Sequence, residues 1–187
     1  MRDDDADLAA RASRGDRRAL ETLLDRHADR VHALCRRVLA HPEDALDATQ
    51  EAMIAIARGI TRFDGRSAFT TWLYRVATNA ALDELRRKRR RPDPVDVSAL
   101  DHAVPGPALD SSVSDRVDVD TALATIPSEF RVAVVLRDLC DLDYAEIAEA
   151  LGIPPGTVRS RIARGRTLLA TALGNPEAPS GRLSTDG

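Results

Sequence analysis

Apolar positions recur at helical spacing along most of this chain. In "GDRRALETLLDRHADRVHALCRRVLAH", Leu20, Leu23, Leu24, Val31, Leu34 and Val38 repeat three and four residues apart. That spacing predicts a long amphipathic helix with Asp16 as its N-cap. "HPEDALDATQEAMIAIARGITRF" predicts a second helix. Pro42 fits a first helical turn, Glu43 and Asp44 suit the positive end of the helix dipole, and Leu46, Met53, Ile56 and Ile60 make the expected apolar stripe. Asp44, Asp47 and Glu51 fall on another face. "FDGRSA" then breaks the pattern, as a short loop around Gly65. From about Ala68 a third helix carries Phe69, Leu73, Val76 and Ala80 on one side. It ends in six consecutive basic residues, Arg86 to Arg91, before Pro92 and Pro94 forbid continuation.

Periodicity lapses between Asp93 and about Asp120. This stretch holds seven aspartates and one arginine, Arg116, among prolines and serines, and reads as a solvated linker. Beyond it, "VDTALATI" and "PSEFRVAVVLRDL" predict two helices parted near Pro127. "DYAEIAEALGIPPGTVRSRIARGRTLLATAL" predicts two more. Asp143 and Glu146 have capping-box spacing, Ala148 is small where two helices would cross, Gly152 marks the turn, and Pro154 and Pro155 open the last helix. Helix, short glycine turn, helix is the helix-turn-helix pattern. The tail "GNPEAPSGRLSTDG" reads as disordered. The expected fold is therefore all-α: two small helical domains, 1–92 and 117–174, joined by an acidic flexible linker, 93–116, with a tail at 175–187.

Composition agrees with helix. Ala and Leu are abundant and aromatics make up only 3%. With 27 basic residues against 30 acidic ones, the chain has no bulk positive charge. Its basic charge is local: Leu151 to Arg166 carries four arginines and no acid. The start "MRDDDADLAARAS" lacks the apolar core of a signal peptide, and no apolar run approaches a membrane span, so a cytoplasmic protein without direct membrane insertion is expected. Cys35 and Cys140 have no CxxC partner and read as two buried thiols.

On the last helix Val158, Ile162, Gly165 and Leu169 share one face. Thr157, Ser160 and Arg164 project from the other, with Arg159 and Arg161 on the flanks. Hydroxyls and guanidiniums are the groups that reach base edges and phosphates in a major groove. A solvated basic face on an ordinary bundle helix is the alternative. Gly165 either permits close packing or is simply tolerated.

With these motifs in place, the chain resembles the extracytoplasmic-function (group 4) sigma factors of bacterial RNA polymerase from about Asp7 to Leu173. "GDRRALETLLDRH" resembles region 2.1, "EDALDATQEAMIAIARGITRF" region 2.2, and "FDGRSAFTTWLYRVATNAALDELRRKRRR" regions 2.3 and 2.4. "TALATIPSEFRVAVVLRDLCDLDYAEIAEALGIPPGTVRSRIARGR" resembles region 4. The resemblance implies a transcription initiation factor that binds core polymerase, recognises and melts the −10 element, and reads the −35 element. By resemblance, Asp44, Asp47, Gln50, Glu51, Met53 and Ile54 face the polymerase β′ clamp helices, and region 4 meets the β flap. Arg62, Phe63, Asp64, Gly65, Arg66, Ser67 and Phe69 form the −10 pocket; Trp72, Tyr74, Arg75 and Asn79 follow on the adjoining helix, and Arg86 and Arg87 track phosphates. Pro155, Thr157, Val158, Arg159, Ser160, Arg161 and Arg164 meet the −35 duplex. An anti-sigma factor is an expected partner. No catalytic residue, metal or cofactor is implied.

Two other classes compete. A stand-alone DNA-binding repressor fits the helix-turn-helix but leaves "FDGRSAFTTWLYR" unexplained, and the chain has no heptad zipper for a dimer. A metal or redox module could draw on His27, His32, Cys35 and His41, yet the first three fall in register with the apolar stripe and match no structural zinc spacing. An enzyme is further off, since neither a P-loop nor a GxSxG motif is present.

Overall fold

The computed structural model describes residues 4–90 and 119–174, and every regular element among them is helical. The linker, the tail and Arg91 lie outside the described residues. The first half contains α1 (Asp5–Ser13), α2 (Arg17–Leu39), α3 (Pro42–Gly59), a 3₁₀ turn (Ile60–Arg62) and α4 (Phe69–Arg90). The second contains α5, described over 119–125, then α6 (Ser128–Val134), which runs into one π-helical turn (Val135–Leu139), α7 (Tyr144–Leu151) and α8 (Pro155–Ala172).

Local chemistry sets the helix ends. The Ala19 amide donates to Asp16 Oδ1 at 3.1 Å, and Pro42 occupies the first turn of α3. At α7 the capping box closes in both directions: Glu146 N–H donates to Asp143 Oδ1 and Asp143 N–H to Glu146 Oε2, each at 2.8 Å. Gly152 ends α7 at φ +63°, a left-handed conformation that glycine adopts without penalty.

The buried stripe of α3 differs from the predicted one. Ala45, Ala48, Ala52 and Ile56 face the core, while Leu46 is 54% exposed. α3 packs between α2 and α4, and the small alanines let the backbones approach closely, so the helix turns its alanine face inward. The hydrophobic pattern also leaves α1 unmarked. Its Leu8, Ala9 and Ala12 are buried, and Asp5 ties it to α2 through Arg26 and through His27 Nε2 at 2.8 Å. Burial works against the Asp5 carboxylate, but Arg26 and His27 outweigh it and hold its pKa below the ordinary value.

One apolar cluster runs through both halves, from Leu23, Val38 and Leu73 to Leu136, Ile147 and Ile162. Arg131 crosses between them. Its Nε donates to the Val38 carbonyl at 3.1 Å, at the end of α2, and its Nη1 to Ala124 at 3.1 Å and Leu123 at 3.4 Å, at the end of α5. The guanidinium thus sits where the negative ends of two helix dipoles converge. Burial pushes its pKa down.

Gly165 marks a close crossing of α8 over α6. A Cβ there would meet Val134 Cγ2 at 2.5 Å and the Phe130 carbonyl oxygen at 3.0 Å. A stiff β-branched side chain and a backbone atom cannot both yield cheaply. Gly165→Ala gains about 1 kcal/mol of helix propensity but incurs overpacking of about 1–3 kcal/mol. A net loss of about 1 kcal/mol is expected in a denaturant titration; a stabilised variant would show that the helices part freely.

Candidate nucleic-acid interface

The turn between α7 and α8 fixes how α8 is presented. The Gly152 and Ile153 amides both donate to the Ala148 carbonyl, and Pro155 starts α8 with no amide to satisfy. Val158, Ile162 and Gly165 are buried, which leaves Pro155, Arg159, Ser160 and Arg164 exposed and Thr157 and Arg161 half-buried. Val158, expected among the −35 contacts, is 0% exposed and offers no surface to a duplex. It belongs to the inward stripe that anchors the helix.

Aromatic rings hold the arginines of α8 in place. The Arg159 guanidinium lies 5.6 Å from the Tyr144 ring centroid and that of Arg164 lies 5.5 Å from Phe130. Among the described residues, Arg159, Arg161 and Arg164 have no carboxylate within ion-pair distance. Arg166 differs: its Nε donates to Asp138 Oδ2 at 3.1 Å. Ser160 Oγ donates to the Thr157 carbonyl at 2.9 Å, which leaves its lone pairs facing out.

The loop before α4 is a compact turn. Asp64 Oδ1 accepts from the Arg66 amide at 3.1 Å, Arg66 Nε lies 3.1 Å from Asp64 Oδ2, and Gly65 takes φ +73°. Arg62, Asp64, Gly65, Arg66 and Ser67 are all exposed. Beneath them Phe63, Phe69 and Trp72 form a ring cluster with centroids 5.6–5.9 Å apart, backed by His27 at 5.5 Å from Phe69. Phe63 and Trp72 are half-buried, whereas Phe69 is 4% exposed and serves as the floor. Tyr74 is likewise buried, Arg75 is half-buried, and Asn79 is exposed.

The basic end of α4 is less bare than its sequence suggests. Arg86 pairs with Asp83 at 2.6 Å, Arg87 with Glu84 at 3.2 Å, and Lys88 with Asp44 at 3.0 Å. Arg86–Asp83 is exposed on both sides, and a pair of that kind is worth about 0–1 kcal/mol, so a phosphate can displace it; Glu84 is buried and holds Arg87 from within the fold.

A third surface lies on α3. Asp47, Gln50, Glu51 and Ile54 are exposed, while Asp44 and Met53 are half-buried. Leu46, absent from the predicted set, joins them. At helical spacing it stands one turn before Gln50 and two before Ile54, a relation that the helical wheel carries once the alanines are assigned to the core. Leu46 and Ile54 together put apolar area beside the carboxylates.

Known proteins align with both halves. The family model for sigma-70 region 2 matches residues 23–91 and that for sigma-70 region 4 matches residues 116–169. The chain is 39% identical over 170 residues to the ECF RNA polymerase sigma factor SigM of Mycobacterium tuberculosis, covering 91% of this chain and 85% of that one. It is 38% identical to the ECF RNA polymerase sigma-E factor of Escherichia coli, covering 85% and 88%. Its fold is similar to that of CnrH, solved in complex with the cytosolic domain of CnrY, at TM-score 0.66 and 24% identity over 92% of this chain and 98% of that one. It is similar also to the sigma factor RpoE of Bartonella quintana, solved with the anti-sigma factor NepR, at TM-score 0.67 and 22% identity over 82% and 96%.

Proposed function

This chain belongs to the sigma-70 family, in its extracytoplasmic-function group, and on that premise we propose that the three surfaces described above divide its work as a promoter-directing initiation factor. The chain binds core RNA polymerase and brings it to promoters. Bond-making belongs to the polymerase, and this chain supplies recognition and strand separation without catalysis of its own.

The exposed face of α3 docks on the β′ clamp helices. Asp47, Gln50 and Glu51 give charge complementarity, with Asp44 and Met53 at the edge, and Leu46 and Ile54 give desolvated contact. The loop from Arg62 to Ser67, with Phe63 and Trp72 behind it, receives the unstacked −10 strand. Single-stranded DNA is held by rings that accept base faces and cations that follow phosphates, and both are present here. Asn79, Arg86 and Arg87 extend that track along α4. On α8, Thr157, Ser160, Arg161 and Arg164 reach base edges of the −35 duplex while Pro155 and Arg159 lie toward phosphate. Residues 1–92 form the region 2 domain, 93–116 the linker, 117–174 the region 4 domain, which meets the β flap, and 175–187 a tail. The protein works in the cytoplasm; no helix among the described residues is long and apolar enough to cross a membrane. An anti-sigma partner is supported by the two solved relatives captured with CnrY and NepR.

The observation that carries this reading is the pairing of an aromatic-backed loop on one half with the exposed, acid-free face of α8 on the other. Alanine substitution on α8 tests it. Arg159→Ala is expected to lower the slope of log affinity against log salt by about 0.9 on any duplex, the mark of one lost phosphate contact. Arg164→Ala is expected to weaken promoter-specific binding by about 1–3 kcal/mol and to leave random DNA almost unaffected. Native promoter use by both variants would contradict the assignment of α8.

A further inference from the structure

The aromatic cluster behind the −10 loop rests on a buried polar ring. Phe69 is the hub of that cluster. Phe63 stands edge-on to it at 5.9 Å, Trp72 lies tilted by 36° at 5.9 Å, and His27 of α2 lies at 5.5 Å, tilted by 60°. Phe69 is the first residue of α4. The ring torsion of a phenylalanine is soft, so the neighbours of Phe69 decide how its ring tilts. Phe63 and Trp72 are half-buried at the rim, whereas His27 is 0% exposed and closes the cluster from within.

A phenylalanine at position 27 would leave no polar atom stranded. His27 Nδ1 is buried and has no hydrogen-bond partner among the described residues, and a polar atom left so in an apolar surrounding destabilises a fold. What imidazole adds is its other nitrogen. Nε2 lies 2.8 Å from Asp5 Oδ2 on α1, and Asp5 also pairs with Arg26. Against burial, Arg26 and His27 hold the Asp5 carboxyl below its ordinary value. The ionised carboxylate only accepts, so Nε2 carries a proton and donates it. A bond at one ring nitrogen together with packing on the ring fixes an angle that packing alone leaves loose. α1 packs in turn against α4 and against the 3₁₀ turn that leads into the loop. Tether, hub and loop thus share one support.

We propose that His27 is a positioning residue of the −10 pocket: tethered to Asp5, its ring sets the tilt of Phe69 and, through Phe69, the places from which Phe63 and Trp72 meet unstacked bases. The proposal rests on the −10 assignment made above. A binding constellation works when its groups are held within about 0.5 Å and 20° of the productive geometry, and a tilted hub moves both rim rings together. His27 itself touches no DNA.

Three variants separate positioning from packing. His27→Phe keeps an aromatic ring beside Phe69 and loses the tether. Asp5→Ala loses the tether and keeps the imidazole. Asp5→Asn keeps an acceptor oxygen for Nε2. Thermal melting of the free chain reports stability. Near-ultraviolet circular dichroism and the emission of Trp72, the single tryptophan of the chain, report the ring cluster. Reconstituted holoenzyme on a promoter carrying 2-aminopurine in the −10 element reports the opening rate, set beside closed-complex affinity.

His27→Phe is expected to melt near the native temperature, because the stranded nitrogen goes with the lost bond. It is expected to open the promoter about fivefold more slowly at unchanged closed-complex affinity. Asp5→Ala is expected to slow opening by a similar factor, and Asp5→Asn to restore it to within about twofold of native. The Trp72 spectra shift in the first two and return in the third. Opening at the native rate by either variant that lacks the tether would overturn the proposal. So would slowing that follows lost melting temperature across the three, the mark of a packing residue. Should His27→Phe fail to fold, Asp5→Ala decides, since its side chain is 24% exposed at the outer end of the bond. If the unmodified chain opens no promoter, the −10 reading fails and the proposal with it, while the Trp72 spectra still report whether Asp5 and His27 hold the cluster.

Discussion

Phe63→Leu is expected to slow promoter opening by about 5- to 150-fold, the rate equivalent of the 1–3 kcal/mol carried by one base stacked on an aromatic side chain. Leucine fills much of the same volume but has no π-face. The Phe63 ring sits 5.6 Å from Trp72 and edge-on to Phe69 at 5.9 Å, half-buried at the rim of the cluster. Its loss should therefore cost the fold only about 1 kcal/mol. Rates of strand opening on a duplex promoter, set beside closed-complex affinity, separate the two effects. A variant that opens DNA at the native rate would make Phe63 a packing residue only. Phe69 is a poorer choice for this test, because at 4% exposure its truncation would damage the core first.

Arg131→Leu is expected to cost about 3 kcal/mol of stability, read as a shifted denaturant midpoint. The guanidinium satisfies the Val38, Leu123 and Ala124 carbonyls from a site only 6% exposed, and leucine would strand those acceptors in an apolar surrounding. Arg131→Lys should recover little, because an ammonium lacks the planar fork that spans the ends of α2 and α5. A loss below about 1 kcal/mol for both would mean that water replaces the bonds and the two helix ends are open to solvent.

Local chemistry was legible where each signal is confined to a few neighbouring residues. Asp16, the Asp143–Glu146 box and Gly152 each act on backbone groups within four residues, and each takes the role its spacing predicts. The outward set on α8 followed from the wheel for the same reason, and Val158 fails as a contact because the stripe it shares with Ile162 decides its direction. Long-range features were not legible. Leu46 and Ala45 are adjacent, and which of them turns inward depends on how closely α2 and α4 approach. α1 is nine residues long and buries three, too few positions for a period to stand out beside its acids. Arg131 carries no local sign of burial; its partners lie at the ends of two other helices, one of them 93 residues away. The pairs Arg75–Glu149 and Arg36–Asp120 likewise join segments that periodicity treats separately.

Promoter direction by this chain is read out by adding it, purified, to sigma-free bacterial core polymerase and sequencing the transcripts made from genomic DNA. Discrete start sites that share motifs near −10 and −35 are expected, abolished by Trp72→Ala combined with Arg164→Ala. Transcription that stays at the core background, together with tight duplex binding by the chain alone, would contradict it and identify a free-standing DNA-binding regulator instead.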